Sequence, residues 1–187
     1  MSNAETIRRL FPELEEIKNK KLTEKVIRTW VRVCREAGIG SKLETFPFYH
    51  EVPQESLVGH VKKVVKVIKA VVSSLEDLPD IPKLDKDVLL ATGLLHDVDK
   101  LLLYRPKKGR KGWEPSPTAK KFPHGGLGAM YCREEGLPEV VVHLVATHAL
   151  DSPLPPEPYE GVILHYADYL VADTALWQAG KPLLLRH

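Results

Sequence analysis

Cysteine is scarce. Cys34 and Cys132 are the two in 187 residues, and neither stands in a Cys-x-x-Cys pair. A zinc knuckle or a redox dithiol is therefore not expected, and two dispersed cysteines in an apolar-rich chain read as buried thiols of a reducing compartment. No apolar run is long and uncharged enough to span a bilayer. The start, Met1-Ser2-Asn3-Ala4, lacks the charged-then-apolar pattern of a secretion signal. Charge of one sign is also missing: a net charge of +2 at pH 7 leaves no dominant nucleic-acid footprint. There is no internal repeat and no low-complexity tract. These absences predict a soluble, cytoplasmic protein with neither membrane nor nucleic acid as a partner. Nothing in the pattern sets an oligomeric state.

What the chain does have is helical periodicity. Its 187 residues, 43% of them hydrophobic, suffice for one domain with its own core. Over residues 59–75, Val61, Val64, Val65, Ile68, Val72 and Leu75 recur at helical spacing while Lys62, Lys63, Lys66 and Lys69 fill the other side. This predicts an amphipathic helix with a solvated lysine face. Residues 87–100 are apolar nearly all round, as a central core helix is, with Asp85 or Asp87 to cap its start. Residues 122–134 read as a helix closed by Gly136 and Pro138. Residues 139–148 are rich enough in valine to read as a buried strand, but helix is preferred because the neighbours are helical and no pairing strand is evident. Helices are also expected over 6–18, 22–37 and 160–179. Two loops remain. One, 101–121, is basic and punctuated by Pro106, Gly109, Gly112, Pro115 and Pro117. The other, 151–158, carries four prolines and cannot be a helix interior. Each follows a candidate ligand, which favours lids over a site. The fold class is all-α, a helical bundle with an N-terminal helical extension.

The chemistry lies in dispersed imidazoles and carboxylates. His96 and Asp97 are adjacent in Leu94-Leu95-His96-Asp97-Val98-Asp99-Lys100, at the end of the apolar run. Together they offer a nitrogen and a carboxylate to one point, which suits a metal, whereas a buried, unpaired aspartate is costly. His60 lies one turn before Val64 and so on the buried face, where a polar group needs a partner. His124, His148 and Asp168 follow in order. Taken alone, a histidine on an apolar face reads as a core residue bonded to a backbone carbonyl, and His124, beside Gly125 and Gly126, reads as a loop histidine. The ordered set shifts the balance to metal binding for all six. His143, five residues before His148, falls elsewhere on its helix and reads as structural or exposed. His50 and His187 read as surface residues.

The order His60, His96-Asp97, His124, His148, Asp168 resembles the HD superfamily of metal-dependent phosphohydrolases, whose pattern is H…HD…H…H…D on an all-helical fold. The resemblance covers roughly the span 57–173, through Leu57-Val58-Gly59-His60, the His96-Asp97 segment, Phe122-Pro123-His124-Gly125, Ala146-Thr147-His148 and His165-Tyr166-Ala167-Asp168-Tyr169-Leu170. It implies an HD domain over 56–180, the extension over 1–55 packed on it, and a tail over 181–187. It further implies that His60, His96, Asp97 and Asp168 form a minimal metal site and that Asp97 bridges to any second ion. His124 and His148 would complete a two-metal site or, with one ion, handle phosphate. The cofactor implied is one or two divalent transition ions, Mn, Fe, Co or Ni, with Mg or Zn also admitted. Metal-activated water would attack a small phosphorylated substrate, a nucleotide being the foremost class, with Asp97 and Lys100 as the catalytic residues. Lys100 matches the lysine of the common H-D-x-G-K form. Asp99 departs from its glycine, and is expected to pair with Lys100 or an arginine, or to tune the site from outside.

Substrate contacts are expected from Lys100, from His165, which shares the face of Asp168 one turn on, from Arg105, Lys107, Lys108 and Arg110 of the basic loop, and from Lys121. That loop reads equally as solvated or as a phosphate-recognising mouth. Trp113 and Tyr104 read as ring-stacking residues or, more commonly, as anchors of the loop. Two other functions share the ligand order. Mixed-valence di-iron oxygenases of the HD fold resemble it too, and a non-catalytic metal- or nucleotide-binding regulatory module would keep it without turnover.

Overall fold

Asparagine side chains open the first two helices. In the computed structural model, which describes residues 3–150 and 152–184, Asn3 accepts from Thr6 N at the start of α1 (Ala4–Leu10). Asn19 accepts from Lys21 N and Leu22 N at the start of α2 (Lys20–Glu36). Both satisfy amides that a first helical turn leaves without partners. Pro12 divides the helix expected over 6–18, and the chain makes a 3-10 turn over Pro12–Glu16 instead of continuing α1. A hairpin of β1 (Pro47–Tyr49) and β2 (Val52–Ser56) leads directly into α3 (Leu57–Leu75), which Ser56 caps by accepting from Gly59 N. Asp85 caps α4 (Lys86–Leu95). A turn then leads to the short α5 (Lys100–Leu103) and a second hairpin, β3 (Tyr104–Pro106) and β4 (Trp113–Pro115). Among the described residues three more helices follow: α6 (Gly126–Glu134), α7 (Glu139–Thr147) and α8 (Tyr159–Gln178).

The helical reading of 139–148 agrees with α7. Three further expectations are corrected. The framework is helical, but two antiparallel hairpins interrupt the all-α class. Residues 101–121 are not one open loop: Trp113 packs on Phe46 at 4.7 Å and Ser116 N donates to Leu103 O at 2.7 Å, so the second hairpin is tied to the body. The helix read over 122–134 begins only at Gly126. The Met1-Ser2 start, Asp151 and His187 lie outside the described residues.

One apolar core runs from Ile7 on α1 to Val171 on α8. α4 is at its centre, buried at every position from Val88 to Leu95 as its all-round apolar pattern predicts. Gly93 lets it close on α3, since a Cβ there would meet Ile68 Cδ1 at 2.8 Å. A satellite cluster of Phe48, Val52, Ala172, Ala175 and Leu176 binds the first hairpin to the C-terminal half of α8. The lysine face of α3 is solvated, with Lys63 paired to Glu55 and Lys69 to Glu16. Among the described residues, no helix is long and apolar enough to cross a membrane.

Side chains finish α4. Gly93 O accepts from His96 Nδ1 at 2.8 Å and Leu94 O accepts from the buried Trp30 Nε1 at 2.9 Å. Trp30→Phe removes that donor and part of the packing, and is expected to lower stability by about 2 kcal/mol, measured by urea unfolding of the metal-free protein. A loss below about 0.5 kcal/mol would mean that the Leu94 carbonyl does not depend on Trp30.

Candidate metal centre

The turn after α4 carries His96 and Asp97 inward together. Asp97 has no solvent exposure, and its two oxygens face different partners. Oδ2 lies 3.2 Å from His60 Nε2, 3.5 Å from His96 Nε2 and 2.7 Å from Lys100 Nζ. Oδ1 lies 2.8 Å from His124 Nε2 and 3.7 Å from His148 Nε2. Asp168, midway along α8, joins the first group, its Oδ1 3.0 Å from His60 Nε2 and 3.6 Å from His96 Nε2. The six residues singled out from the sequence thus converge. They include two groups that could hold a metal ion and that share Asp97: His60, His96 and Asp97, and Asp97, His124 and His148.

Three of the imidazoles are oriented through Nδ1. His96 Nδ1–H donates to Gly93 O at 2.8 Å, His148 Nδ1–H to Val145 O at 2.8 Å, and His124 Nδ1–H to Asp99 Oδ1 at 3.0 Å. Each of these three Nε2 atoms is left as an acceptor in the neutral ring, and those of His124 and His148 face one another at 3.1 Å. His96 Nε2 lies 3.4 Å from His60 Nε2, which donates to Asp168 Oδ1 at 3.0 Å. Asp97 Oδ1, although 2.8 Å from His124 Nε2, has no hydrogen bond. Lone pairs packed against lone pairs in a dry site repel unless a proton or a cation lies between them, so this donor set fits divalent ions.

In the metal-free centre, protons take that place. Burial opposes charging His96, but Asp97 and Asp168 outweigh it and push the imidazole up to about 10. Burial also opposes charging His124, which Asp99 and Asp97 push up to about 9. For His148 burial prevails and its pKa falls. Burial penalises the Asp97 carboxylate, yet Lys100, His96, His124 and His148 hold it well below the usual range. His60 and His96 do the same for Asp168.

Asp99 belongs to this arrangement. It is fully buried, and besides His124 it holds the entry to α6, its Oδ2 accepting from Gly125 N at 2.7 Å and Gly128 N at 3.4 Å. An anion suits a helix N-terminus. Gly125 has φ +85°, and a Cβ there would meet Val145 O at 2.5 Å, so a side chain would force this approach apart. Of the roles the sequence left open for Asp99, tuning from outside the ligand set is the one its contacts match. Lys100 is engaged elsewhere, with Asp97 and over the Phe48 ring at 4.7 Å. Phe48 was not singled out from the sequence, yet its ring stacks on His60 at 4.4 Å and 19°. The alternation of Phe46 and Phe48 is too short to mark a strand on its own.

A cleft of about 330 Å³ opens beside the centre, with Lys100, His124 and Asp168 in its wall. The other expected substrate contacts do not line it. Arg105 is exposed and paired with Glu114 at 2.9 Å. Lys108, Arg110 and Lys121 are exposed, and Lys107 is half-buried beside Gly112. His165 turns to the backbone, its Nδ1–H donating to His148 O at 3.1 Å and its ring stacking on Tyr169 at 4.4 Å. Trp113 anchors a hairpin, whereas Tyr104 lines the cleft. His50, expected on the surface, is half-buried edge-on to Tyr49 at 4.6 Å. His143 is half-buried on α7.

No curated protein and no solved structure matches the chain. A family model, the HD domain, matches residues 57–173, from the first residue of α3 into α8. That is more than half of the chain, and it encloses all six converging side chains. The chain therefore belongs to the HD superfamily, whose members are generally metal-dependent hydrolases.

Proposed function

We propose that this protein is a metal-dependent phosphohydrolase acting on a small phosphorylated substrate. His60, His96, Asp97 and Asp168 would hold one divalent ion, and Asp97, His124 and His148 a second. The observation that carries this reading is the pair of facing acceptor sets joined by Asp97, beside a cleft that Lys100 also lines. Bound ions, of the Mn, Fe, Co or Ni kind that imidazole and carboxylate together favour, supply activated water near neutral pH and offset charge at phosphorus. The protein's own groups bind and orient. Asp97 ties the two sets together. Lys100, paired to Asp97, turns an ammonium toward the cleft, where it neutralises a phosphate oxygen. Asp99 aims His124, and Phe48 keeps water from the face of His60.

Protein loaded with each metal in turn is expected to hydrolyse members of a phosphomonoester, phosphodiester and nucleotide panel. Iron-dependent oxygen uptake with phosphate esters left intact would replace this reading with an oxygenase. Tight binding without turnover under any metal would replace it with a regulatory module.

Asp97→Ala is expected to abolish metal retention and His143→Ala to leave it nearly unchanged, as read by metal analysis of protein purified without chelator. Equal loss in both would undo the assignment of ligands. Asp99→Asn places an amide NH₂ or a weaker acceptor against His124 and Gly125, and should weaken the ion at His124 and His148 roughly 10- to 100-fold while sparing the other. Metal titration should then fall from two equivalents toward one; unchanged stoichiometry and affinity would show that Asp99 does not orient the site.

Protons and metal compete here. His96 is pushed from an ordinary 6.5 up to about 10, so a divalent ion must displace protons and its affinity climbs with pH across that window. The metal-free protein behaves oppositely. Imidazoles with raised pKa contribute stability that is complete below 6.5 and is lost as pH rises through about 9 and about 10. Melting temperatures with chelator and with metal should diverge over this range, and parallel curves would count against a cation at these imidazoles.

A further inference from the structure

We infer that the cleft selects a substrate carrying a single phosphoryl group on an aromatic or apolar organic group, which Tyr49, Tyr104, Tyr169 and Leu176 recognise. This rests on the phosphohydrolase reading above and names its substrate class.

The composition of the wall carries the inference. Apart from His124 and Asp168 of the centre, the cleft is lined by aromatic rings and aliphatic side chains, and among the described residues Lys100 is the one lysine or arginine in it. The centre and Lys100 can meet the charge of one phosphoryl group. Each further phosphate would press an anion against rings and methyl groups, and an unpaired charge removed from water is costly. The basic residues of the second hairpin do not line the cleft: Arg105 is bound to Glu114, and Lys108 and Arg110 are in solvent. The tyrosines bring no charge either. Burial raises the hydroxyl pKa of both Tyr49 and Tyr104, so each stays a neutral phenol.

The wall is also preformed. Tyr169 is stacked on His165 at 4.4 Å, Tyr49 stands edge-on to Tyr104 at 6.3 Å, and Leu176 is buried in the satellite cluster with Phe48. A volume of about 330 Å³ is at the small end for a ligand pocket and suits one phosphoryl group with one ring system. Burying about 50 Å² more apolar surface on such a wall is worth roughly tenfold in selectivity.

The test compares 1-naphthyl phosphate, glycerol 3-phosphate and ATP with the metal-loaded protein, by turnover and by calorimetric binding. The expected kcat/KM for naphthyl phosphate exceeds the other two by roughly tenfold or more. Tyr169→Ala should shrink the naphthyl-to-glycerol ratio to about a third or less, mainly through KM, and Tyr104→Leu should do so independently; metal retention confirms that the centre still forms in each. Preference for ATP or glycerol 3-phosphate would overturn the inference. So would selectivity that survives both tyrosine variants but disappears when Lys108 and Arg110 are replaced by alanine. Binding separates this inference from the activity it rests on. If none of the three is cleaved but naphthyl phosphate binds tightest, the hydrolase reading falls and the selectivity stands. If all three are cleaved at similar rates, the selectivity falls and the hydrolase reading stands.

Discussion

A carboxylate with no access to water constrains the rest of this fold. Removing the charge of Asp97 from water carries a penalty on the order of several kcal/mol, and in the metal-free centre it is offset by cations: the Lys100 ammonium and the His96 imidazolium face Oδ2, and the His124 imidazolium faces Oδ1. The groups that face Asp97 come from separate stretches of chain: His60 from α3, His96 from the end of α4, Lys100 from the start of α5, His124 from just before α6, and His148 from the end of α7. None of these elements can slide on its neighbour without exposing an unpaired charge. The centre is thus as much a restraint on the bundle as a product of it, and the apolar contacts of α4 hold the same register from the other side.

Helix endings do much of the positioning. His96 and His148 are each the first residue beyond a helix, and each folds its Nδ1–H back onto the carbonyl three residues earlier, at 2.8 Å in both cases. A helix C-terminus leaves carbonyls without donors. One imidazole bond meets that need and simultaneously fixes the tautomer, so that Nε2 is left bare and directed at Asp97. His124 precedes a helix rather than following one. Asp99 takes the role instead, and because its second oxygen accepts from the first amides of α6, one carboxylate sets both the helix entry and the ring.

Much of this was legible in the sequence, and the omissions have physical causes. His60 was assigned to a buried face by the spacing of Val61, Val64 and Val65, and α4 to the core by its lack of a polar side, because both readings use only local periodicity. The first hairpin was not legible. Its turn is His50-Glu51, without the glycine or asparagine that marks a tight β-turn, so Phe48 was hidden with it. Asp99 stood in the open as a departure from glycine, but its partners lie 25 and 26 residues further on, beyond any local pattern. The direction of the basic loop was not legible for a different cause. Composition counts Arg105, Lys108 and Arg110 but carries no direction, and pairing across the second hairpin turns Arg105 to Glu114.

The cleft divides its labour along the chain in a way that follows from these constraints. The five side chains that face the oxygens of Asp97 lie within the span matched by the HD domain, residues 57–173. Several walls of the cleft lie outside it: Phe48 and Tyr49 on the first hairpin, and Leu176 and Leu184 near the other end. These walls are held by the satellite cluster and by Lys181 pairing with Glu51 at 3.2 Å, not by the compensated charges. Phe48 is tied to the centre through His60 and Lys100, but Tyr49, Leu176 and Leu184 are free to change without disturbing Asp97, whereas the ligand positions are not. Under the proposed function, chemistry resides where charge compensation permits little variation. The shape and polarity of the substrate's organic group are read largely by surface that the centre does not need.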